Sequence, residues 1–195
     1  MTRRIAIIQG HPDATRLHFG HHLMSAYARG AAGAGHETRL VEVAKLVFPL
    51  LSSKQDWERG ETPPDIAAAQ QDIAWADHLV ICYPLWLGSM PAILKGFFEQ
   101  VARPGFAFTP PGSNQMWKKL LKGKSARIVV TMGMPATIYR WYFGAHSLKS
   151  LERNILGFVG IAPIRASIIG MVEHPDVRKR EDWLRKLEAL GRKGD

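Results

Sequence analysis

The sequence predicts an α/β fold with a parallel, doubly wound sheet, and two patterns lead to that prediction. Strand-like and helix-like segments alternate along the 195 residues, an order typical of parallel sheets with helices on both faces. The strand segments are continuous apolar runs, such as RIAIIQ and HLVICYP, as expected for strands that are covered on both sides. We therefore expect one domain over residues 1–195, a length that can bury a substantial core.

The elements of the first half follow from apolar spacing and from the residues that interrupt it. Apolar side chains recur at helical spacing after Leu17, and the glycines of GAGHE end that helix. Asp65 can cap a later helix, because its side chain can accept a first-turn N–H. The predicted elements are, in order, strand one at 4–9, a helix at about 17–32, strand two at 38–43, an irregular segment at 48–65 and a helix from 65 to about 75.

The second half continues the same alternation. HLVICYP ends at Pro84, and Pro91 suits the first turn of the helix that follows. The predicted elements are, in order, strand three at 78–84, a helix at 91–102, a loop at 103–115, strand four at 126–133, a helix at 145–157, strand five at 161–169 and an amphipathic helix at 175–191.

Composition and charge exclude several classes of protein. The net charge is +9, but the densest basic segments, 117–124 and 177–186, also carry apolar stripes, which favours solvated helix faces over a nucleic-acid surface. The single Cys82 excludes a disulfide framework and a cysteine-based metal cluster, and we expect no metal. Because no apolar run has the length of a membrane span or of a secretory signal, a cytoplasmic protein is the simplest expectation.

The fold class predicts where function lies. In open α/β sheets, ligands bind beyond the carboxyl ends of the strands, at the topological switch point. The segments after strands one, three and four are GHPDATRLH, YPLWLGSMP and TMGMPATIY. All three are rich in ring, hydroxyl or apolar side chains that a simple connection does not need.

The first of these segments lacks both common nucleotide-binding patterns, GxGxxG and GxxxxGK(S/T). A strand-to-helix turn still offers unpaired N–H groups and the positive end of a helix dipole to an anion. His11 can donate a ring N–H to a phosphate, and Thr15 can add a hydroxyl. The loop alone equally allows a structural interpretation, in which Asp13 or Thr15 caps the helix and His11 is a surface turn residue.

The segment after strand three places large apolar side chains in a turn. Such side chains are costly in water unless they meet another apolar surface. A planar ring that lies over the turn and bonds to its backbone N–H groups would account for Trp86 and Leu87. The alternative is that these two side chains fill the core or a subunit interface.

Three segments together resemble the NAD(P)H:quinone oxidoreductase family, which includes DT-diaphorase and the ancillary reductases of potassium efflux systems. They are GHPDATRLH, YPLWLGSMPAILKGFFEQVARPGFAF and TMGMPATIYRWYFGAHSLKSLERNILGFVGI. The resemblance implies a flavodoxin-like, three-layer α/β/α fold with a five-stranded parallel sheet in the order 2-1-3-4-5. It also implies a bound flavin, FMN or FAD, and two-electron reduction of quinone-like acceptors by NAD(P)H.

The resemblance assigns roles to residues of all three segments. It puts His11 and Thr15 at the flavin phosphate, with Leu17 and His18 beside them among the cofactor-binding residues. It puts two sets along the isoalloxazine ring: Pro84, Leu85, Trp86, Leu87 and Gly88 on one edge, and Thr131, Met132, Gly133 and Met134 on the other. Met134 and Pro135 replace two small residues of the family, which predicts a different flavin contact or acceptor pocket.

Two further residues are the candidates for catalysis. Tyr139 matches the active-site tyrosine of the family, and His146 lies one position beyond its active-site histidine. Tyr139 has the alternative of a core or interface tyrosine, and His146 that of a surface helix residue. With a flavin bound, either would stabilise developing charge or donate a proton to the acceptor.

The resemblance and the aromatic segment IYRWYFGAH (138–146) also predict a homodimer with active sites at the subunit boundary, where GFAFTPPG (105–112) covers the partner's flavin. The sequence stops soon after the closing helix, which leads us to expect FMN before FAD. An alternative function remains open at this stage, because a flavin site would serve equally in a redox-sensing accessory subunit that docks peripherally on a membrane transporter.

Overall fold

The computed structural model describes residues 2–109, 117–174 and 177–195. Its strands are β1 Arg4–Gln9, β2 Glu37–Glu42, β3 His78–Pro84, β4 Phe108–Thr109, β5 Lys118–Lys119, β6 Ser125–Thr131 and β7 Ile164–Ile169. Five of them form a parallel sheet in the order β2-β1-β3-β6-β7, and β4 and β5 form a small antiparallel pair. The five-stranded sheet has the predicted order 2-1-3-4-5 when its strands are counted along the chain, so the fold prediction is confirmed.

The helices lie on both faces of this sheet. They are α1 Phe19–Gly33, α2 Lys54–Arg59, α3 Pro64–Trp75, α4 Ala92–Val101, α5 Ala136–Trp141, α6 His146–Ser150, α7 Gly157–Val159 and α8 Val177–Lys193, with a 3₁₀ turn at Val43–Lys45 and a π-helical segment at Leu151–Leu156 between α6 and α7. None of the helices within the described ranges is long and apolar enough to cross a bilayer.

Two predictions about local structure were wrong. Residues 48–65 are not irregular throughout, because α2 forms there with Ser53 as its N-cap, whose hydroxyl accepts the Asp56 N–H at 3.0 Å. Asp65 does not cap α3, which begins at Pro64. Its carboxylate instead accepts the Val47 N–H at 2.6 Å, so it ties the segment after β2 to α3.

The two faces of the sheet have separate cores. On one face, α1 and α8 cover Ile5, Ile7 and Val80 of the sheet. On the other face, α3, α4 and the helices after β6 cover a larger apolar cluster. The layering follows from the continuous apolar strands, since alternate residues of each strand face opposite helices.

The strand register positions the candidate site. Gln9 of β1 pairs with Cys82, and Pro84 of β3 pairs with Thr131 of β6. The chain therefore leaves β1, β3 and β6 at one edge of the sheet. We refer to the connections that follow as loop one (residues 10–18), loop three (85–91) and loop four (132–135).

Candidate functional site

Loop one is anchored by the last side chain of β1. Gln9 is buried, and its Oε1 accepts the backbone N–H of His11 at 3.2 Å. The His11 ring turns back on the loop, where Nδ1 accepts the Asp13 N–H at 3.1 Å. A neutral imidazole carries one proton, so this contact assigns that proton to Nε2. His11 thus has a defined N–H donor to offer.

Asp13 organises the rest of loop one. Its Oδ1 accepts the N–H of Thr15 at 2.8 Å and the Thr15 hydroxyl at 2.5 Å, and its Oδ2 accepts from His18 Nε2 at 2.7 Å. The hydrogen bond from the Thr15 hydroxyl, together with those from His18 and the Thr15 N–H, holds the pKa of Asp13 well below its usual range. The Thr15 hydroxyl proton is therefore donated to Asp13. The sequence predicted Asp13 only as a possible helix cap, and these hydrogen bonds depend on the folded shape of the loop.

The histidine rings of loop one and α1 form a cluster. The rings of His11 and His18 stack with centroids 3.7 Å apart, and the His21 ring lies 5.5 Å from that of His11. His21 Nδ1 accepts the His18 N–H at 3.0 Å, which closes the start of α1. Burial, with the neighbouring rings of His18 and His21, lowers the pKa of His11 to about 4, so His11 is neutral near pH 7.

The start of α1 completes a set of donors. The N–H groups of a helix's first turn have no intrahelical partner, and the helix dipole favours an anion beside them. In the described part of the chain, the backbone N–H groups of Phe19 and Gly20 have no acceptor. Together with the Nε2–H of His11, they form a set of donors suited to a phosphate.

Loop three is a tight turn with an apolar tip. Trp86 and Ser89 exchange two backbone hydrogen bonds of 2.9 Å, and the residues between them, Leu87 and Gly88, have φ values of 46° and 77°. This is the two-residue turn with both central residues in the left-handed region. The Leu85 N–H donates to the Thr131 carbonyl at 2.7 Å. The N–H groups of Leu85 and Trp86 are thus used within the protein, whereas those of Leu87 and Gly88 at the turn tip have no backbone acceptor among the described residues.

The tip of loop three is exposed beside loop one. Trp86 is 51% exposed and Leu87 is 107% exposed. The Trp86 ring stands edge-on to His11, with centroids 5.9 Å apart. Leu17 is also exposed. The apolar surface predicted around Trp86 and Leu87 therefore faces outward, next to the donors of loop one, and does not fill the core.

Loop four is held by the segment after β7. The N–H of Met132 donates to the Ile169 carbonyl at 2.9 Å, and the carbonyl of Met134 accepts from Met171 at 3.2 Å. A Cβ on Gly170 would lie 2.4 Å from the backbone nitrogen of Ala136, so this close approach requires glycine. Residues 169–173 were not predicted as part of the site, although the glycine was visible in the sequence.

Thr131 and Gly133 differ in their exposure at the sheet edge. The Thr131 side chain is buried, and its hydroxyl points to the Tyr83 carbonyl at 3.5 Å. Gly133 is exposed at the same sheet edge. The nearest atoms that a Cβ on Gly133 would meet belong to the Glu173 carboxylate, at 3.7–3.8 Å.

The two candidate catalytic side chains lie in different surroundings. Tyr139 is 2% exposed, and its hydroxyl lies 2.7 Å from Ser147 Oγ and accepts the Leu148 N–H at 3.1 Å. These bonds join α5 to α6. His146 is exposed at the start of α6. The geometry gives Tyr139 a structural task, and the catalytic roles of both residues stay predictions.

Comparison with known proteins identifies a matching family and a curated relative. A family model described as flavodoxin-like fold matches residues 3–190. NAD(P)H dehydrogenase (quinone) 1 from Rattus norvegicus is 30% identical over 152 residues, which are 73% of this chain and 54% of that protein. The chain therefore spans about half the length of that curated relative.

Two solved structures share the fold along all or nearly all of the chain. NAD(P)H:quinone oxidoreductase from Methanothermobacter marburgensis superposes with a TM-score of 0.81 and 24% identity, covering 100% of each chain. An FMN-dependent NADH-azoreductase from Bacillus anthracis, in complex with FMN, superposes with a TM-score of 0.75 and 16% identity, covering 97% of this chain and 98% of that one.

Proposed function

The chain belongs to the family of flavodoxin-like fold proteins, and from that premise we propose that it is a flavin-dependent NAD(P)H dehydrogenase that reduces quinone-like acceptors. The observation that carries the proposal is the pairing of two features at one sheet edge. The neutral His11 ring offers an N–H beside the start of α1, and the exposed Trp86 stands 5.9 Å from that ring. An anion site next to an apolar shelf suits a phosphate joined to a flat ring.

The residues present fit a flavin phosphate. Gln9 and Asp13 hold loop one in a shape that keeps the His11 Nε2–H free, and the N–H groups of Phe19 and Gly20 extend the donor set. No positively charged side chain is needed, because a helix start supplies partial positive charge. His18, which shares a hydrogen bond with Asp13 at 2.7 Å, keeps its ring stacked on His11.

The loops beyond the phosphate would hold the isoalloxazine ring. Leu87 and Gly88 offer N–H groups at the tip of loop three, and Gly133 of loop four is exposed on the other edge, with the Glu173 carboxylate beside it. Pro84, Leu85, Thr131, Met132 and Met134 would fix these loops through their backbone positions. When bound, the flavin supplies two-electron transfer between NAD(P)H and the acceptor.

The protein's own contribution to turnover is positioning and exclusion of water. Trp86 and Leu87 form an apolar floor that favours flat, weakly polar acceptors over ions. His146 is exposed and available to hold or donate a proton at an acceptor oxygen. Tyr139 orients this region through its bonds to Ser147 and Leu148.

We also propose that the working form is a homodimer. Trp141 and Tyr142 are 86% and 82% exposed, and Ile138 and Phe143 beside them are also exposed; we call these four residues the aromatic patch. A contiguous apolar surface of this kind usually marks an interaction site. Of the predicted cover for the partner's flavin, residues 110–112 lie outside the described residues, whereas Phe108 packs against Trp57.

The alternative of a redox-sensing subunit that docks on a membrane transporter has less support. The relative and the solved structure reported above are named as a quinone dehydrogenase and a quinone oxidoreductase. Two basic side chains of α8, Arg185 and Arg192, form ion pairs within the helix, with Asp182 and Glu188.

Absorption spectroscopy and turnover test the proposal together. We expect the purified protein to show the two visible bands of an oxidised flavin, and we expect NADH or NADPH to bleach them. A quinone added in excess should restore the bands and support repeated turnover. Protein without any flavin, after reconstitution with both FMN and FAD has failed, would refute the proposed function. A flavin that NAD(P)H reduces but that quinones do not reoxidise would favour the sensor.

A further inference from the structure

A cavity of about 290 Å³ opens where β3, β6 and β7 begin, at the edge of the sheet opposite to loops one, three and four. We call it the basal cavity. Its charged and hydroxyl-bearing walls are Arg3, Asp77, Ser125, Arg165 and Asp195. Its volume is just below the range of about 300–1,000 Å³ that is usual for ligands of drug size. The cavity therefore suits a small ion rather than a nucleotide.

The strand register groups polar side chains at this end of the sheet. Ser125 of β6 lies opposite His78 of β3. Arg127, two residues further along β6, lies opposite Arg165 of β7. Side chains two residues apart on a strand point to the same face, and Val129 continues this alternation into the core beneath α1 and α8. The polar group therefore occupies the end of that face, where the apolar core stops.

The arginines of this group share too few carboxylates. Asp195 accepts from both Arg127 and Arg165. Arg3 donates to the Gly194 carbonyl at 2.9 Å and has no carboxylate partner in the described part of the chain. Three guanidinium groups thus meet one carboxylate, which leaves two positive charges without a counter-charge.

The second acid of the cavity wall does not change this balance. Asp77 is paired with Arg4, whose Nη2 lies 2.7 Å from Oδ1, so these two side chains neutralise each other. The excess positive charge also acts on His78, because Arg3, Arg127 and Arg165 all add to the effect of burial in lowering its pKa.

Two buried side chains behind the basal cavity carry unpaired polar atoms. Arg127 is 6% exposed and donates to Ser167 and Asp195, but its Nε has no acceptor in the described ranges. His78 is 1% exposed and contacts Ser125 through Nδ1 at 2.7 Å, while its Nε2 has no partner there. Unpaired buried polar atoms of this kind indicate a bound ion or water.

We propose that the basal cavity is a binding site for inorganic phosphate. Guanidinium groups present paired N–H donors that match phosphate oxygens, and the Ser125 hydroxyl adds a further group on the wall. A phosphate dianion balances the two uncompensated charges. Arg3 and Arg165 contact the ion, and Arg127 adds its charge from behind them. The site does not depend on the proposed function, because it lies at the opposite edge of the sheet from the candidate flavin site.

Calorimetric titration of the purified protein with inorganic phosphate, at constant ionic strength so that screening does not change, tests the site. We expect saturable binding that chloride does not reproduce. Arg165→Gln and Arg3→Gln each remove one exposed guanidinium and should raise the Kd about tenfold or more. The matched control is Arg29→Gln, because Arg29 is also exposed but pairs with Glu188 outside the cavity. Equal Kd values for wild type and Arg165→Gln would overturn the site.

Two further titrations identify the ligand and its location. Loop one also offers donors to a phosphate, so the measurement is repeated with His11→Ala, for which we expect the Kd for phosphate at the basal cavity to be unchanged. Binding that His11→Ala abolishes and Arg165→Gln retains would place the ion at loop one, which would overturn this inference and leave the proposed function intact. Glycerol 3-phosphate should bind more weakly than phosphate, because the cavity is small. Tighter binding of that ester would overturn the assignment to the free ion.

Discussion

At the scale of single residues, the candidate site depends on which atoms already have partners. His11 was chosen from the sequence as a phosphate donor, and the structure gives it a defined tautomer through the Asp13 N–H at 3.1 Å. The roles of Gln9 and Asp13 could not be predicted in the same way. Gln9 has the pattern of an ordinary strand residue, and the four contacts of Asp13 depend on loop geometry that no local pattern encodes.

We predict that His11→Ala weakens flavin binding, because the variant loses the Nε2–H donor. A hydrogen bond to a charged group contributes about 1–3 kcal/mol, or roughly fivefold to a hundredfold in Kd. Titration of the apoprotein with FMN, followed by quenching of flavin fluorescence, measures the change. His22→Ala is the control, since His22 is an exposed histidine on α1 and its loss should leave the Kd for FMN unchanged. Equal affinities of wild type and His11→Ala would make His11 a turn residue only.

Tyr139→Phe should act on stability rather than on electron transfer. The variant keeps the buried ring but leaves the Leu148 N–H and the Ser147 hydroxyl without the partner they have in the structure. We expect the free energy of unfolding to fall by about 1–3 kcal/mol, with flavin reduction by NADPH close to the wild-type rate.

Thermal melts and stopped-flow reduction of the bound flavin, run on the same Tyr139→Phe sample, separate the two roles. A reduction rate lowered a hundredfold, with an unchanged melting temperature, would instead establish the catalytic role that the family resemblance implies. Ser147→Ala is the matched variant, because it removes one of the same bonds without touching the ring.

The free energy of unfolding should depend on pH through the protonation of His78. This side chain is 1% exposed, and burial lowers its pKa from 6.5 to about 4. Below pH 6.5 the His78 ring is protonated in the unfolded chain but stays neutral in the folded chain. The folded state therefore keeps its full free energy of unfolding above pH 6.5 and loses part of it as the pH falls to about 4. At about 1.4 kcal/mol per unit, the full loss is on the order of 3 kcal/mol.

Chemical denaturation between pH 7.5 and 4 measures this loss. His78→Gln removes the titrating group but keeps a polar atom for Ser125, whose hydroxyl lies 2.7 Å from the histidine ring. The variant should lose less stability across that range than wild type does. The control His146→Gln removes an exposed ring and should follow the wild-type curve. Parallel curves for His78→Gln and wild type would contradict the assignment.

At the scale of secondary-structure elements, predictions succeeded where a pattern extended over many residues. β1, β3 and the helix α1 were found within two residues because apolar runs and helical spacing persist along them. α2 and α5 have six residues each, too few for a period to be visible. The π-helical segment at Leu151–Leu156 was recognised only as helix, since its wider turns leave no local sign.

The packing of α1 on α8 gives a sharp prediction about glycine. A Cβ on Gly30 would lie 2.0 Å from the Glu188 carbonyl oxygen, and a Cβ on Gly191 would lie 2.1 Å from that of Tyr27. Because both obstacles are backbone atoms, Gly30→Ala must push the helices apart. We expect a loss of about 1–3 kcal/mol in unfolding free energy, despite the better helix propensity of alanine.

Gly33, at the end of the same helix, is the control for Gly30. A Cβ there meets nothing within 4 Å, so Gly33→Ala should leave stability unchanged or raise it by up to about 1 kcal/mol. Urea denaturation of both variants measures the difference. If Gly30→Ala were as stable as Gly33→Ala, the close contact between α1 and α8 would not exist in solution.

At the scale of the whole molecule, the strand order could be predicted from the sequence, whereas the arrangement of residues on the surface could not. Alternating strands and helices, together with the family resemblance, led to the order that the sheet has. The cavity between α1 and β2 depends on where distant segments meet, and such meetings have no period in a sequence. The aromatic residues at 138–146 were noticed as an apolar excess, but only the structure distinguishes buried Tyr139 from exposed Trp141.

The aromatic patch leads to the prediction that concerns the assembly. Trp141 and Tyr142 are 86% and 82% exposed in the single chain, and covering them with a second copy would remove apolar surface worth about 25 cal/mol per Å². We expect light scattering after size exclusion to give twice the chain mass of 21.8 kDa. Trp141→Ser with Tyr142→Ser should shift the protein to monomer. Val177→Ser is the control, because Val177 is also exposed but lies on α8, across the sheet. A double variant that remains dimeric at micromolar concentration would show that the subunits meet elsewhere.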